Sequence, residues 1–408
     1  MKFMYFFLPT LPATLEERRA LRPIASHPER WRQMIDEVVE LAQAAEDVGF
    51  DAVCFPEHHL HSEGIEIGSL PVLTQHVIHH TKRIKVGPIG YVLPGWNPLR
   101  LALEIGWLDQ LTKGRTFVGF ARGYQTRWLN QMAQKIHVSA TVSDKSESDR
   151  VNREAFEEVF RFLKLAWGDE PFRFKGKYYE YPTPQEGTQW PAAEWTRQFG
   201  FPGEVDELGR IQKINVTPKP YQKPHPALFQ AFSISEETVR WCARESIIPT
   251  ILISQPPRVR ALAEAYVEEG RKAGRSLKLG ESIGVLHSVY IAQNRERARD
   301  LARAGICGVA FREFFHQFGF TEAWREPEDD ALFAGKMLPK EECSIERMER
   351  ANFIFDGTVA DVRKEMDAMV ENVHPEWFVW QGDQGLLPID EVKRQMQIFG
   401  KELLPRYK

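Results

Sequence analysis

The sequence has little cysteine, and no two cysteines form a paired motif. Its 408 residues include four, Cys54, Cys242, Cys307 and Cys343, which lie far apart. The absence of a Cys-x-x-Cys pair argues against the common zinc and dithiol sites. Free, mostly buried thiols are expected, which fits a reducing compartment and a cytoplasmic location.

The chain also lacks an excess of positive charge and a long hydrophobic run. Lys and Arg total 53 against 57 Asp and Glu, so the formal net charge is −4 and the pI is near 6.3. No basic field points to nucleic acid or to an anionic membrane, and no apolar run is long enough to span a bilayer. We interpret the apolar segment 1–12 as a first strand and not as a signal peptide, because it has one positive charge and no small-residue cleavage site.

Several nucleotide and hydrolase motifs are missing as well. No Gly-x-Gly-x-x-Gly follows a strand and no Walker phosphate loop occurs. No Gly-x-Ser-x-Gly elbow joins a strand to a helix, since the match "GESIG" at 280–284 leads into a predicted strand. A dinucleotide-binding fold and a serine hydrolase are therefore unsupported.

Apolar strand-like segments alternate with helical patterns along the chain. The predicted strands cover residues 2–9, 51–55, 83–93, 115–123, 227–233, 248–254, 282–292 and 375–382. Eight strands alternating with helices predict an α/β protein with a (β/α)8 TIM barrel, formed as a single domain over 1–408. In such a barrel the residues just after the strands form the active face.

The chain is longer than a barrel requires. About 250 residues suffice for this fold, so we predict large insertions near 126–147, 169–226 and 312–356. The second contains a predicted hairpin at "FRFKGKYYEYP". Each insertion is interpreted as a lid or binding loop, or alternatively as surface decoration or an oligomer contact.

The segment "PEHHLH" follows the second predicted strand and holds Glu57, His58, His59 and His61. One interpretation is a metal site at His59-x-His61, but further ligands are missing at the later strand ends, where only His287 is available. Surface histidines are a second interpretation. The third, which we favour, is a metal-free pocket whose imidazole donates a hydrogen bond or moves a proton near neutral pH.

Two further strand ends suggest an anion. Arg122 leaves a buried strand and requires an anionic partner, either a protein carboxylate or a ligand phosphate, while Gly123 permits close backbone approach. Ser235 is a good N-cap for the helix after the fifth strand, with Thr238 in its first turn. Together with Arg122, these groups suggest a phosphate site.

These stretches, in this order, resemble the bacterial luciferase-like, flavin-dependent monooxygenases along most of the chain. The resemblance rests on "FDAVCFPEHH", on "TKRIKVGPIGYVLPGWNPLRLALEIGWLDQLTKGRTFVGFARGY", on "VTPKPYQKPHPALFQAFSISEET", on "FDGTVADVRKEM" and on the closing "IDEVKRQMQIFGKELLPRY". It implies a barrel that binds reduced FMN, supplied by a separate reductase, and reacts it with O2 to a C4a-peroxyflavin. One oxygen atom then enters a small substrate, which the many aromatic residues suggest is apolar or aromatic. It also implies a homodimer.

The resemblance assigns roles to individual residues. His58 matches the family's catalytic acid or base, with His59 and Glu57 beside it in the motif. Arg122 matches a phosphate-binding arginine, and Gly123 and Tyr124 follow it. The remaining cofactor-binding assignments are a cis peptide beneath the flavin at Ile89 and Gly90, and phosphate contacts at Phe232, Ser233, Ser235 and Thr238.

The sequence also departs from the family pattern. Ala121 replaces a reactive cysteine of the light-emitting members, which argues against light emission, and Glu236 replaces a hydroxyl residue that some relatives use on the phosphate. Segment 312–356 is the expected lid. Three alternatives stay open at this point: a deazaflavin-dependent hydride-transfer enzyme on the same barrel, a metal-dependent hydrolase using His59 and His61, and a non-catalytic flavin-binding relative.

Overall fold

The computed structural model describes residues 1–65, 68–142, 144–184, 188–333 and 336–408. Within these ranges the strands are β1 (Lys2–Phe6), β2 (Ala52–Phe55), β3 (Lys85–Pro88), β4 (Tyr91–Val92), β5 (Val118–Ala121), β6 (Phe174–Lys175), β7 (Glu180–Tyr181), β8 (Leu228–Ser233), β9 (Ile248–Ile251), β10 (Gly284–Ile291), β11 (Ile354–Gly357) and β12 (Trp377–Gln381). The helices are α1 (Leu15–Ala20), α2 (Pro28–Val48), α3 (Leu70–His80), α4 (Pro98–Thr112), α5 (Thr126–Met132), α6 (Glu147–Trp167), α7 (Ala193–Phe199), α8 (Glu236–Glu245), α9 (Pro256–Lys272), α10 (Arg295–Ala304), α11 (Asp329–Phe333), α12 (Ile345–Arg350), α13 (Val359–Asn372), α14 (Ile389–Glu402) and α15 (Leu404–Tyr407).

The main sheet has the strand order β3-β2-β1-β12-β10-β9-β8-β5-β4, and β11 pairs with β10. The pairings among β1, β2, β3, β12, β10, β9, β8 and β5 are parallel. The two end strands, β3 and β4, are consecutive in the chain and are separated only by Ile89 and Gly90. The single strand predicted at 83–93 is thus two strands. β3 pairs with β2, which precedes it in the chain, and β4 pairs with β5, which follows it, so the sheet nearly closes. This architecture confirms the predicted (β/α)8 TIM barrel.

The chain divides into two compact units. The first comprises residues 1–91, 117–120 and 227–408, and the second comprises residues 92–116 and 121–226. Most barrel strands belong to the first unit. The second unit holds the predicted hairpin, which is confirmed as β6 and β7 in antiparallel pairing. That one domain extends over 1–408 stays a prediction.

Local sequence explains where the long helices begin and end. In the first unit, α2 has Pro28 at its first turn and buries Met34, Val38 and Leu41 at helical spacing. It ends at Gly49, whose φ of 97° lies in the left-handed region that glycine adopts without a Cβ penalty. In the second unit, Asn97 caps α4 by accepting a hydrogen bond from the Arg100 amide at 3.0 Å.

Two buried glutamates serve as acceptors for runs of backbone amides. In the first unit, Glu46 near the end of α2 accepts hydrogen bonds from the amides of Lys82, Arg83 and Ile84, just before β3. In the second unit, Glu158 of α6 accepts in the same way from three consecutive amides of the hairpin turn at 177–179. These carboxylates fix segments that lack regular backbone partners.

All four cysteines are buried free thiols, which confirms the predicted thiol state. In the described ranges, none of the helices combines the length and the apolar character needed to cross a membrane.

Candidate active site

The Glu57-His58-His59 segment lies in the first unit, directly after β2. All four residues of β2 are buried, and Pro56 follows them. The side chain of Glu57 is nearly inaccessible, and its Oε1 lies 3.1 Å from Nε2 of the half-buried His59. The next residue along, His58, is only 6% exposed. The carboxyl end of a buried strand thus presents a carboxylate-imidazole pair beside a buried imidazole.

Burial decides the charge of His58. The loss of water, reinforced by the neighbouring His61 and His59, holds the pKa of His58 well below its usual range. The imidazole is therefore neutral at pH 7 and able to accept a proton. This is the protonation state that a general base needs before reaction.

His61 connects this segment to the aromatic residue Phe314, which lies more than two hundred positions later in the chain. The rings of His58 and His61 have centroids 6.1 Å apart, and the His61 ring meets the ring of Phe314 edge to face at 5.6 Å. Nδ1 of His61 lies 3.8 Å from Oε1 of Glu63. His61 is buried against apolar carbon on one side, which suits a positioning role.

The metal interpretation of His59 and His61 gains no support from these contacts. Within the described ranges, no three or more His, Cys, Asp or Glu side chains are grouped so that they could hold a metal ion. His287 also differs from these residues in its role. It lies inside β10, its ring stacks on that of Phe355 with centroids 4.2 Å apart, and its Nδ1 lies 2.8 Å from the Asn352 carbonyl oxygen. It acts as a core residue.

The buried carboxylate of Asp383 fixes the backbone at Ile306, shortly before the aromatic residues that include Phe314. Asp383 follows β12 and accepts hydrogen bonds from the Ile306 amide at 2.6 Å and from the Tyr290 hydroxyl at 3.0 Å. A Cβ at Gly305 would lie 2.2 Å from Oδ1 of Asp383, so only glycine permits this approach. Burial raises the pKa of Asp383 to about 7. After Ile306 the chain forms a π-helical turn, Cys307–Phe311.

Aromatic rings continue from that turn through the segment predicted as a lid. Phe311 contacts Phe315 at 5.2 Å and Trp324 at 5.4 Å, and Trp324 contacts Phe353 at 5.0 Å. Phe314 contacts Phe315 at 5.3 Å. Aromatic rings in the described part of this segment thus pack on one another, and the Phe314 ring meets that of His61. Its action as a lid stays a prediction.

The peptide bond between Ile89 and Gly90 is cis, as the resemblance implied. The Ile89 amide donates to the Phe55 carbonyl at 2.8 Å, which places this bond beside the end of β2. A Cβ at Gly90 would lie 2.4 Å from the Gly119 carbonyl carbon and from the Phe120 amide nitrogen. Glycine is thus required here by close backbone approach. The position of this bond beneath a flavin stays a prediction.

The end of β8 shows an irregular backbone and a buried hydroxyl. Phe232 has a φ of 47°, the register against β9 shifts between Gln230 and Ser233, and the Phe232 ring meets Phe6 at 5.1 Å. The hydroxyl of Ser233 is buried and has no hydrogen-bond partner among the described residues, and the same holds for Ser254, after the adjacent strand β9. These two hydroxyls are donors in need of an acceptor.

Ser235 and Thr238 engage each other. The Ser235 hydroxyl accepts from the Thr238 amide at 3.3 Å and donates to the Thr238 hydroxyl at 3.0 Å, which caps α8. The cap is the simpler of the two roles weighed for these residues. A contact with phosphate stays a prediction.

In the second unit, Arg122 has a carboxylate partner. Its side chain is 11% exposed, and its Nη1 lies 2.7 Å from Oδ1 of Asp149. Burial raises the pKa of Asp149, but the Thr141 hydroxyl and Arg122 outweigh burial, so the pKa is lowered. Asp149 was missed in the sequence, where it lies in the first turn of α6 and resembles an ordinary N-terminal acidic residue.

The two residues after Arg122 are held locally. Gly123 has a φ of 83°, and a Cβ there would lie 2.5 Å from Val92 and 2.6 Å from Leu129. The hydroxyl of Tyr124 accepts from the Gln125 amide group at 3.2 Å. A cofactor role for Arg122, Gly123 and Tyr124 stays a prediction.

The sequence profile of the luciferase-like monooxygenases matches residues 1–373. The chain belongs to this family of enzymes. It is 27% identical to the 3,6-diketocamphane 1,6-monooxygenase of Pseudomonas putida over 72% of this chain and 74% of that protein.

Solved structures show the same fold. The luciferase-like chain matches the oxygenating constituent of 3,6-diketocamphane monooxygenase from Pseudomonas putida, a type II Baeyer–Villiger monooxygenase in complex with FMN, with a TM-score of 0.70, 20% identity and coverage of 100% and 98% of the two chains. It also matches the coenzyme F420-dependent tetrahydromethanopterin reductase of Methanopyrus kandleri, with a TM-score of 0.61, 15% identity and coverage of 100% and 99%.

Proposed function

We propose that this protein is a two-component monooxygenase that uses reduced FMN from a separate flavin reductase, and O2, to oxygenate a small apolar or aromatic compound. The observation that carries the proposal is His58, a buried and neutral imidazole at the end of β2 in a chain of the luciferase-like monooxygenase family. The relative described as an oxygenating constituent with bound FMN supports both the cofactor and the division into two components.

The residues of the first unit fit a flavin phosphate. The hydroxyls of Ser233 and Ser254 are buried donors without a described partner, at the carboxyl ends of two adjacent strands. A phosphate oxygen supplies the acceptor that such groups require. We assign these two hydroxyls to the cofactor phosphate, and by resemblance the backbone at Phe232. Arg122, Gly123 and Tyr124 of the second unit keep the cofactor-binding role that the resemblance gives them.

Bound reduced FMN supplies the electrons with which O2 is activated. The chain contributes proton transfer and shelter from water. His58 is neutral before reaction, so a ring nitrogen accepts a proton from the reacting group and returns it later. Glu57 and His59 form a pair beside His58, and His61 supports its position with Phe314 behind it. The aromatic rings at 311–324 exclude water, which would otherwise divert the oxygen chemistry to peroxide.

The test is rapid mixing. The full chain is mixed without oxygen with reduced FMN and then with air-saturated buffer, while the oxidised flavin band is followed. We expect reoxidation at least tenfold slower than in buffer alone. The same rate with and without protein would overturn the proposal. Light scattering of the same sample tests the homodimer that the resemblance implies.

A substitution separates the role of His58 from flavin binding. His58→Ala is expected to retain FMN affinity within about threefold while releasing more hydrogen peroxide per flavin oxidised, because proton transfer is lost. The matched control is His79→Ala, an exposed histidine of α3. Unchanged peroxide release in His58→Ala would remove His58 from the mechanism and leave flavin use intact.

The likeness to an F420-dependent reductase favours one second candidate, a deazaflavin-dependent hydride-transfer enzyme on the same barrel. Such an enzyme needs no oxygen. Tight binding of reduced coenzyme F420 together with indifference to reduced FMN would replace the monooxygenase proposal by this one.

A further inference from the structure

The carboxyl-terminal turns of α3 carry three histidines that the proposed chemistry does not use. His76, His79 and His80 lie outside the segment that holds His58. His76 is half-buried, and the other two are exposed. Positions 76 and 80 are one helical repeat apart, so their side chains share one face of the helix. The ring centroids of His76 and His80 are 4.4 Å apart.

That separation suits a shared metal ion. Two imidazoles bound at about 2.1 Å have centroids roughly 4.6 Å apart at the right angle of square-planar nickel or copper, and roughly 5.3 Å apart at the tetrahedral angle of zinc. The spacing i, i+4 on a helix is also the one by which paired histidines hold zinc in helical metal motifs. The ring centroids of His80 and the third histidine, His79, are 5.6 Å apart. His79 directly precedes His80 in the chain, so its side chain leaves the helix in a different direction.

The hydrogen bonding of His80 prepares it as a ligand. Its Nδ1 lies 2.8 Å from the His76 carbonyl, and because a carbonyl only accepts, Nδ1 carries the hydrogen. In the neutral ring this leaves the lone pair on Nε2. Metal-binding histidines are commonly held in this way, with the second ring nitrogen donating to a backbone carbonyl.

The electrostatic surroundings also favour a cation. His80 is the last residue of α3, and the end of a helix carries a partial negative charge. Asp36 of α2 contributes a carboxylate charge at His76.

We propose that His76 and His80 form a surface binding site for a divalent transition-metal ion of the zinc, nickel and copper class. The protein supplies two imidazole nitrogens, and water completes the coordination. Because the described ranges hold no group of three or more potential ligands, the two imidazoles would hold an exchangeable surface ion and not a resident metal centre of the kind considered for His59 and His61. The site is separate in sequence from the His58 segment, so it does not rest on the proposed function.

The test is calorimetric titration of the full chain, without any added histidine tag, with ZnCl2 and separately with NiCl2 at pH 7.5. We expect one equivalent to bind. His76→Gln and His80→Gln should each weaken binding at least tenfold, and His79→Gln, the matched control, should change it less than threefold. Binding should also be lost at pH 5.5, where protons compete for the ring nitrogens.

Three results would overturn the proposal. One is no binding of either ion at protein concentrations of 100 μM. Another is binding that survives both His76→Gln and His80→Gln. The third is an equal loss in His79→Gln, which would indicate non-specific histidine association. Circular dichroism of each variant confirms that the helix is intact, so a loss of folding is distinguished from a loss of ligands.

Discussion

Asp383 allows the sharpest test of the barrel interior. Replacing it by asparagine keeps an oxygen that accepts from the Ile306 amide and the Tyr290 hydroxyl, but the new side chain does not titrate. Burial raises the pKa of the native carboxyl from 3.8 to about 7. The folded chain therefore holds a proton over a range of pH in which the unfolded chain has released it.

The sign and size of the effect follow from that difference. A carboxyl whose pKa is raised by folding stabilises the protein fully below the unfolded value, and this contribution is lost as pH rises through the folded value. Between pH 5 and pH 8, Asp383 should cost the native protein about 2.5 kcal/mol of unfolding free energy. Asp383→Asn should lack that loss.

The assay is urea denaturation followed by tryptophan fluorescence at pH 5, 6, 7 and 8. Other titrating groups are common to both proteins, so they cancel in the difference between the native protein and Asp383→Asn. We expect that difference to change by about 2.5 kcal/mol in favour of the variant. Asp390→Asn, whose native side chain is 92% exposed, is the surface control for replacing a carboxylate by an amide. A difference for Asp383→Asn that stays constant from pH 5 to pH 8 would refute the reasoning.

Three other substitutions test packing and charge by the same assay. Glu46→Ala should lower the unfolding free energy by about 3 kcal/mol, because three backbone amides lose their acceptor. The control is Glu40→Ala, at an exposed position of the same helix, which should change the unfolding free energy by less than about 0.5 kcal/mol. Equal effects would be evidence against the role of Glu46. Gly90→Ala should lower the unfolding free energy by about 3 kcal/mol or prevent folding, since its Cβ would lie 2.4 Å from backbone atoms. Gly284→Ala is the control and should be tolerated, because the nearest atoms to its Cβ would lie at 3.6 Å. A stable Gly90→Ala protein would contradict this expectation. Burial lowers the pKa of His287 to about 4, so only the unfolded chain takes up the proton as pH falls below 6.5. The native protein should therefore lose about 2 kcal/mol of unfolding free energy between pH 7 and pH 5, and His287→Gln should lack that loss. Parallel pH profiles of the two proteins would exclude this role of His287.

Periodicity predicted the elements that are long and strongly patterned. In α2, the apolar residues at helical spacing mark the buried face and Gly49 marks the end. The strand predicted at 83–93 has no such mark at its centre. Its apolar run is continuous, and the break at Ile89 and Gly90 depends on two different neighbouring strands, which a local pattern does not record.

Other elements were missed for local reasons. α3 contains Val72, Val77 and Ile78 together with its histidines, and β-branched residues weaken a helical signal. β11 is four residues long and ends in Asp-Gly, which reads as a turn inside a predicted insertion. Its partner β10 supplies the evidence for a strand, and that evidence is tertiary.

The candidate site shows the same division. Position after a strand was enough to predict that Glu57, His58 and His59 lie together at the carboxyl end of β2. Their catalytic role stays a prediction. The contact between His61 and Phe314 was not predictable, because it joins residues 253 positions apart through folding alone. The need of Arg122 for an anion was correct in kind, but a single sequence offers many carboxylates and no means to choose Asp149.

The pKa shifts in the barrel interior bear on the substrate. Burial is the largest cause for His58, His287 and Asp383, and in each it favours the neutral form. Two carboxylates close to His58 in sequence are already engaged: that of Glu57 lies 3.1 Å from His59, and that of Glu63 lies 3.8 Å from His61. Such an interior offers little compensation for a charged ligand, because moving an ion out of water needs a partner of opposite charge. In line with the proposed function, we expect an apolar or aromatic substrate with at most one polar group, whose proton His58 would exchange. A panel of matched neutral and anionic aromatic compounds tests the argument: oxygen transfer should favour the neutral member of each pair, and a consistent preference for the anion would contradict it.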